Sequence, residues 1–257
     1  MTDDKYQNGS VEKAFLILEA LAGRNEPMSL VRLVSETGIN KTTLFRFISV
    51  LCKLGYVWKS PDGSGYSIGM RFIQLGTSAH VSSALATAVR PYLVELAAIV
   101  QESIHLGLLE GDKVFYCDKV ESDHSLRMIT QTGISLEAYC TGIGKAMLSR
   151  LSPKDVGRLY HNRNLAARTP HTITSLDTLQ VALEDIRVTG YALDNEEFET
   201  GLRCVAVPLT VTVANRNVAL SVSGPAFRMT DQAIEAIVPE LLKTAAKACK
   251  MLERSTG

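Results

Sequence analysis

The sequence contains no apolar run near the roughly 18 residues that a membrane-spanning helix needs, so no transmembrane segment is expected. It also lacks net charge: 27 Lys and Arg residues balance 27 Asp and Glu residues. That excludes a uniformly basic coat for nucleic acid or anionic membrane, but not a local basic patch. The five cysteines, Cys52, Cys117, Cys140, Cys204 and Cys249, include no CxxC pair. Odd in number and widely spaced, they fit reduced thiols in a cytoplasmic protein and argue against a disulfide framework or a structural zinc site. The opening MTDDKYQNGS has neither a basic n-region nor an apolar h-region, so no secretory signal is expected. GxxxxGK[ST] and HExxH are both missing, and no cofactor or metal is expected. What is present is a 257-residue chain, 46% hydrophobic and 21% charged, the balance of a globular protein of one large or two ordinary domains.

Up to residue 70 the chain reads as short helices, and beyond residue 100 strands and helices mix. After Ser10, the apolar residues Val11, Ala14, Phe15, Leu18 and Leu21 have the i, i+3, i+4, i+7 spacing of a helix packed along one side. Glu26-Pro27 interrupts it. Ser29 can cap a second helix, SLVRLVSET, with Leu30, Leu33 and Val34 inward. Thr37-Gly38 ends that helix, because Gly tolerates the left-handed conformation of a tight turn. A third helix follows over residues 40–54, with Leu44, Phe47, Ile48 and Leu51 inward and Gly55 as its stop.

Two short helices joined through a Gly-containing turn make a helix-turn-helix, whose second helix can enter a major groove. Lys41, Thr42, Thr43, Phe45 and Arg46 remain outward on that helix and are the candidate DNA-binding residues. Tyr56-Val57-Trp58-Lys59, PDGSG and Tyr66-Ser67-Ile68 then form a hairpin, in the position of a wing. Residues 38–71 carry Lys41, Arg46, Lys53, Lys59 and Arg71 against Asp62 alone, a local charge of +4. A three-helix bundle with solvated basic residues would show the same pattern and bind nothing.

Beyond residue 103 the chain alternates, with Ile104, Leu106 and Leu108 on one side and His105, Gly107 and Leu109 on the other. It turns at Glu110-Gly111-Asp112 and returns as an antiparallel strand. Further strands are expected at 126–130, 191–193, 204–211 and 218–222, and helices at 143–151, 153–160, 175–189 and 230–252. This is an α+β layer pattern built on a mainly antiparallel sheet.

The runs SVEKAFLILEAL, TGINKTTLFRFISVLCKLGYV and GYSIGMRFIQLG resemble the DNA-binding half of the IclR family of bacterial transcriptional regulators. ESIHLGLLEGDKVFYCDKVES, YCTGIGKAML, TPHTIT, GYALDNEEFETGLRCVAVPL and SVSGP are similar, in order, to that family's effector-binding half. The resemblance spans residues 10–252. It implies an N-terminal winged helix-turn-helix over 1–71, then a linker helix and a GAF- or profilin-like effector-binding domain over 72–257. It also implies a double-stranded DNA operator, a small organic acid as effector, and a homodimer or homotetramer, with repression the expected sign. Residues 70–100 fit the linker and the first helix of the second half, where Phe72, Leu75, Ala79, Ser82 and Leu85 offer a packing stripe.

At positions matching that family's effector pocket stand Met128, Leu136, Gly142, Ile143, Asp194, Leu202, Cys204, Ala206, Ser221 and Ser223. The resemblance implies amides from the CTGIG loop at a helix start for a carboxylate, with Asp194 accepting from a ligand hydroxyl. Ser221 and Ser223 share a strand face, as do Leu202, Cys204 and Ala206. Two departures bear on pocket volume: Tyr139 stands where the family often has His, and Ile143 where it often has Ala. Two other functions compete with a regulator. His105, Asp194 and Cys204 could form a catalytic set, although their spacing does not require it. The chain could also be a small-molecule-binding adaptor without DNA binding, which the basic helix and intact wing oppose.

Overall fold

The computed structural model describes residues 9–24, 26–77, 80–125 and 133–255 and divides into two compact units, Met1–Ala79 and His80–Gly257. The first unit holds α1 (Gly9–Leu21), α2 (Leu30–Thr37), α3 (Lys41–Lys53), β1 (Val57–Lys59), β2 (Tyr66–Ile68) and α4 (Arg71–Thr77). Its local signals are those of the sequence. Ser29 caps α2, accepting the Arg32 N–H, and Gly38 closes it at φ 67° with its N–H on Val34 O. Asn40 caps α3 by accepting the Thr43 N–H. Strands β1 and β2 pair antiparallel from Val57↔Ile68 to Lys59↔Tyr66, and Asp62 holds the turn by accepting the Ser64 N–H.

The expected inward stripe of α1 is corrected. Ile17, Leu18 and Leu21 are buried with Ala14 half-buried, whereas Val11 and Phe15 are exposed. This helix is apolar on most of its circumference, so the sequence offers two overlapping stripes. Packing with Leu33, Leu44, Ile48 and Leu51 selects one of them. The stripe over 72–85 is also corrected, since its ends belong to different cores. Phe72 packs edge-on to Tyr56 in the first unit at 5.1 Å, Leu85 is buried in the second, and Leu75 is exposed. Ala79 and the Ser82 side chain lie outside the described residues.

The second unit is built on one antiparallel sheet in the order β5-β4-β3-β8-β7-β6. Its strands are β3 (Ser103–Glu110), β4 (Lys113–Val120), β5 (Ser135–Glu137), β6 (Ala192–Asn195), β7 (Leu202–Val213) and β8 (Arg216–Pro225). Helices α5 (His80–Val100) and α9 (Asp231–Ser255) cover one face, where Leu85, Val89, Leu93 and Leu96 meet Ile104, Leu106, Val205 and Val222. Helices α6 (Gly142–Leu148), α7 (Pro153–Leu159) and α8 (Leu176–Thr189) cover the other, with Ile143, Met147, Val156 and Leu183 against Tyr116, Ala192, Ala206 and Ala219.

Strand β3 is therefore buried on both faces, not on one as its alternation implies. The short β5 was not anticipated, and the strand expected at 126–130 lies outside the described residues. With helices on both sides, any polar side chain in the middle of the sheet is covered. That condition shapes the candidate site.

Candidate functional site

Helix α3 presents Lys41, Thr42, Phe45 and Arg46 outward, while Thr43 is half-buried beneath the Asn40 cap. Leu44, Ile48 and Leu51 fix the opposite face in the core. Among the described residues, neither Lys41 nor Arg46 is held in an ion pair, so both charges are available to a partner. Asn40 is occupied by capping, and Ser49 donates its hydroxyl to Phe45 O at 2.7 Å. The remaining polar and cationic face is that of a groove-reading helix followed by a wing.

In the second unit, sheet register assembles five of the ten expected effector residues, Asp194, Cys204, Ala206, Ser221 and Ser223, into two rows on the α6 side. One row runs Ser103, Ser223, Cys204, Asp194 across β3, β8, β7 and β6. The next runs His105, Ser221, Ala206, Ala192. Cys204 Sγ lies 2.8 Å from Ser223 Oγ, which lies 3.5 Å from His105 Nδ1. The His105 ring stacks edge-on to Tyr116 at 5.5 Å. Leu202 precedes Cys204 along β7, opposite Pro225, and Leu136 sits on β5 opposite Val114, half-buried against the same core as Ile143. Met128 lies outside the described residues.

Burial sets the protonation of this face. His105 is pushed down to about 3 by burial and then by the Lys119 charge, so its imidazole is neutral. Burial pushes the Cys204 and Tyr116 groups up, leaving thiol and phenol. A neutral thiol and a neutral imidazole act here as hydrogen-bonding groups, since a reactive cysteine needs a depressed pKa. Asp194 is raised to about 7, first by burial and also by the Glu197 charge, while the N–H groups of Glu197 and Phe198 oppose the shift. Those two N–H groups donate to Asp194 Oδ1 at 2.8 and 3.3 Å, so part of this carboxyl orders the turn that follows it.

That turn is latched from two directions. Lys145 of α6 forms a buried ion pair with Glu197, whose Oε2 has no hydrogen-bond partner among the described residues. Thr169 Oγ1 donates to Glu196 O and Thr172 Oγ1 to Glu197 O, each at 2.6 Å. The TPHTIT run is thus a clamp on the segment carrying Asp194.

The glycines of CTGIG have a packing role beyond the expected one. A Cβ on Gly144 would lie 2.3 Å from Ala138 O, and one on Gly142 would lie 3.4 Å from Cys204 Cβ. Thr141 caps the helix by accepting the Gly144 N–H, and the Gly142 and Ile143 amides belong to the first turn, which has no intrahelical acceptor. The Ile143 side chain turns toward the sheet above Gly107, where a Cβ would meet its Cδ1 at 3.0 Å. Tyr139 donates its hydroxyl to Ala166 O at 2.6 Å and stacks edge-on to Tyr160.

Two family models match in the same order as the units. The IclR helix-turn-helix domain matches residues 10–61, and the bacterial transcriptional regulator IclR C-terminal domain matches residues 77–250. The chain belongs to the IclR family of bacterial transcriptional regulators. It is 33% identical over 238 residues to the HTH-type transcriptional regulator KdgR of Escherichia coli, covering 93% of this chain and 90% of that one. The crystal structure of the Thermotoga maritima IclR superposes with a TM-score of 0.75 at 29% identity, over 95% of this chain and 98% of that one. An IclR homologue from Microbacterium hydrocarbonoxydans, crystallised with 4-hydroxybenzoate, has a TM-score of 0.80 at 19% identity, over 95% and 99% of the two chains, and shows the shared fold. As an IclR-family member the chain is a DNA-binding transcriptional regulator, and its relatives are regulators rather than enzymes. No helix of the described residues is long and apolar enough to cross a membrane.

Lys145, Glu197, Thr169, Thr172 and Ser103 of this IclR-family chain were not singled out from the sequence. A buried lysine is legible only through its partner, and Glu197 stands 52 residues away. The TPHTIT run carried a usable signal, because closely spaced Thr hydroxyls commonly bond backbone in turns.

Proposed function

We propose that the chain is a cytoplasmic, sequence-specific repressor whose operator affinity is controlled by a small organic acid bound at the sheet rows of the second unit. Lys41, Thr42, Thr43, Phe45 and Arg46 dock in the major groove, with Arg46 reading a guanine bidentately and Lys41 placed for phosphate. Two reading heads are needed for a palindromic operator, so the working form is a homodimer, or a tetramer assembled from two dimers.

One observation carries the effector reading. With Ser103, the side chains of His105, Ser221, Ser223, Cys204 and Asp194 form a buried polar set on a covered sheet face whose other residues are mainly apolar. Ser223 bridges Cys204 and His105, and Asp194 accepts backbone N–H groups, so the set is already ordered for a ligand's polar groups to join. The Gly142 and Ile143 amides and the serine hydroxyls suit a carboxylate. Leu136, Leu202 and Ala206 supply the apolar wall. Asp194 sits near its midpoint at neutral pH, so it serves a ligand hydroxyl as acceptor when ionised and donates when protonated. A hydroxylated or phenolic acid uses all of these groups, and the 4-hydroxybenzoate bound by the Microbacterium homologue is such an acid.

Calorimetry with 4-hydroxybenzoate and a panel of aliphatic hydroxy acids tests this on wild type, Asp194→Ala and Ser221→Ala. The best acid should bind each variant at least about tenfold more weakly, the cost of about one charge-assisted hydrogen bond. Unchanged affinity in both variants would place the ligand elsewhere.

A further inference from the structure

We propose that Phe45 is a specificity residue of the operator interface, packing on the 5-methyl group of a thymine beside the guanine read by Arg46. The proposal rests on the DNA-binding role of α3 and goes beyond it by naming the base and the atom that are recognised.

Phe45 is 53% exposed, although it sits within a helix whose other face is fully packed. Its ring makes no ring–ring contact among the described residues, whereas Tyr56 in the same unit is stacked on Phe72. Exposing an aromatic ring to water forgoes the stabilisation that its burial brings. Ordinary scatter of surface apolar residues would explain one such ring at any position. Here, however, the ring lies among the residues placed to meet DNA: Lys41 one turn before it, Thr42 three residues before it, and Arg46 next to it.

The polar side chains that might have read a base nearby are already engaged. Asn40 accepts the Thr43 N–H and Ser49 bonds to Phe45 O. Thr42, Phe45 and Arg46 are left as the readers of the first turns. From Thr42 to Arg46 is four residue steps, about 6 Å of helix, which matches about two base-pair steps of 3.4 Å. A cation and an apolar ring at adjacent positions then match two different base edges. The guanidinium suits guanine O6 and N7, and the ring suits the one apolar group the major groove displays, the thymine methyl. The surrounding basic residues Lys41, Lys53 and Lys59 are complementary to the phosphates on either side.

The experiment selects binding duplexes from a randomised pool with wild-type full-length protein, then replaces each thymine of the selected half-site by deoxyuridine, which removes only the methyl group. The selected half-site should contain a thymine within one or two base pairs of the guanine whose recognition is lost in Arg46→Ala. Deoxyuridine at that thymine should weaken wild-type binding about fourfold per half-site, the effect of about one buried methyl group. In Phe45→Ala the same replacement should cost nothing further. Wild-type binding indifferent to every deoxyuridine, or Phe45→Ala that stays as methyl-sensitive as wild type, overturns the proposal. If the wild-type protein selects no sequence at all, the DNA-reading role of α3 fails and the Phe45 inference with it, an outcome distinct from the other two. Should Phe45→Ala fold poorly, Phe45→Leu takes its place and is expected to lose most of the methyl sensitivity, while Thr42→Ser keeps it; the reverse pattern overturns the proposal.

Discussion

Asp194 Oδ1 accepts two backbone N–H groups, and an asparagine oxygen at the same place would accept both. The charge is what an Asn removes, and the charge is disfavoured here. The folded carboxyl is raised to about 7 from 3.8, by burial first and by Glu197 as well. Between those values the folded state holds a proton that the unfolded chain has lost, so stability falls as pH rises from about 4 to about 7. Asp194→Asn should therefore match wild type near pH 4 and exceed it by about 4 kcal/mol at pH 8. Thermal melts across that range read the difference directly, and a constant gap would mean that Asp194 does not titrate in this window. Keeping an ionisable group at a position where an amide would be more stable is the trade-off expected of a binding site.

At the scale of elements, helix α6 is pinned by steric fit as much as by hydrogen bonds. Gly144 has Ala138 O and Cα where a Cβ would go, and both atoms belong to backbone that cannot swing aside. Gly144→Ala should destabilise the second unit by about 2–4 kcal/mol, although alanine is the better helix former. Denaturant unfolding would contradict this by showing a gain. The same helix marks how far the sequence could be read. Helices α2 and α3 and the wing were legible because their signals are local: Ser29 as a cap, Gly38 in the left-handed region, Gly55 as a stop and Asp62 in the turn, while the Asn40 cap of α3 was not singled out. The two rows of the candidate site were legible in part, because Ser221 and Ser223, or Cys204 and Ala206, share a face by alternation alone. What brings His105 and Asp194 to the same rows is register across four strands, which no local pattern encodes. The inward face of α1 was misjudged for a similar reason, since a helix apolar on most sides leaves the choice to its neighbours. The glycines of CTGIG marked a helix start and a candidate anion loop, while their role in close packing was not legible.

For the whole molecule, one DNA-reading unit of this size covers only a half-site, so pairing of two chains is part of the account. Sedimentation at micromolar concentration should show a species of at least twice 28.0 kDa, and operator half-sites should be spaced about 10 base pairs apart or a multiple of it. A monomer alone would remove that element of the account. The central claim is that acid binding in the second unit and DNA binding by the first are coupled, and coupling of affinities is reciprocal. The most direct test is to titrate a selected operator duplex with full-length protein in the presence and absence of saturating acid, then to titrate the acid with and without saturating duplex. The account predicts that the acid weakens operator binding about 5- to 150-fold and that the duplex weakens acid binding by the same factor. An acid that binds equally well to free and DNA-bound protein would contradict it.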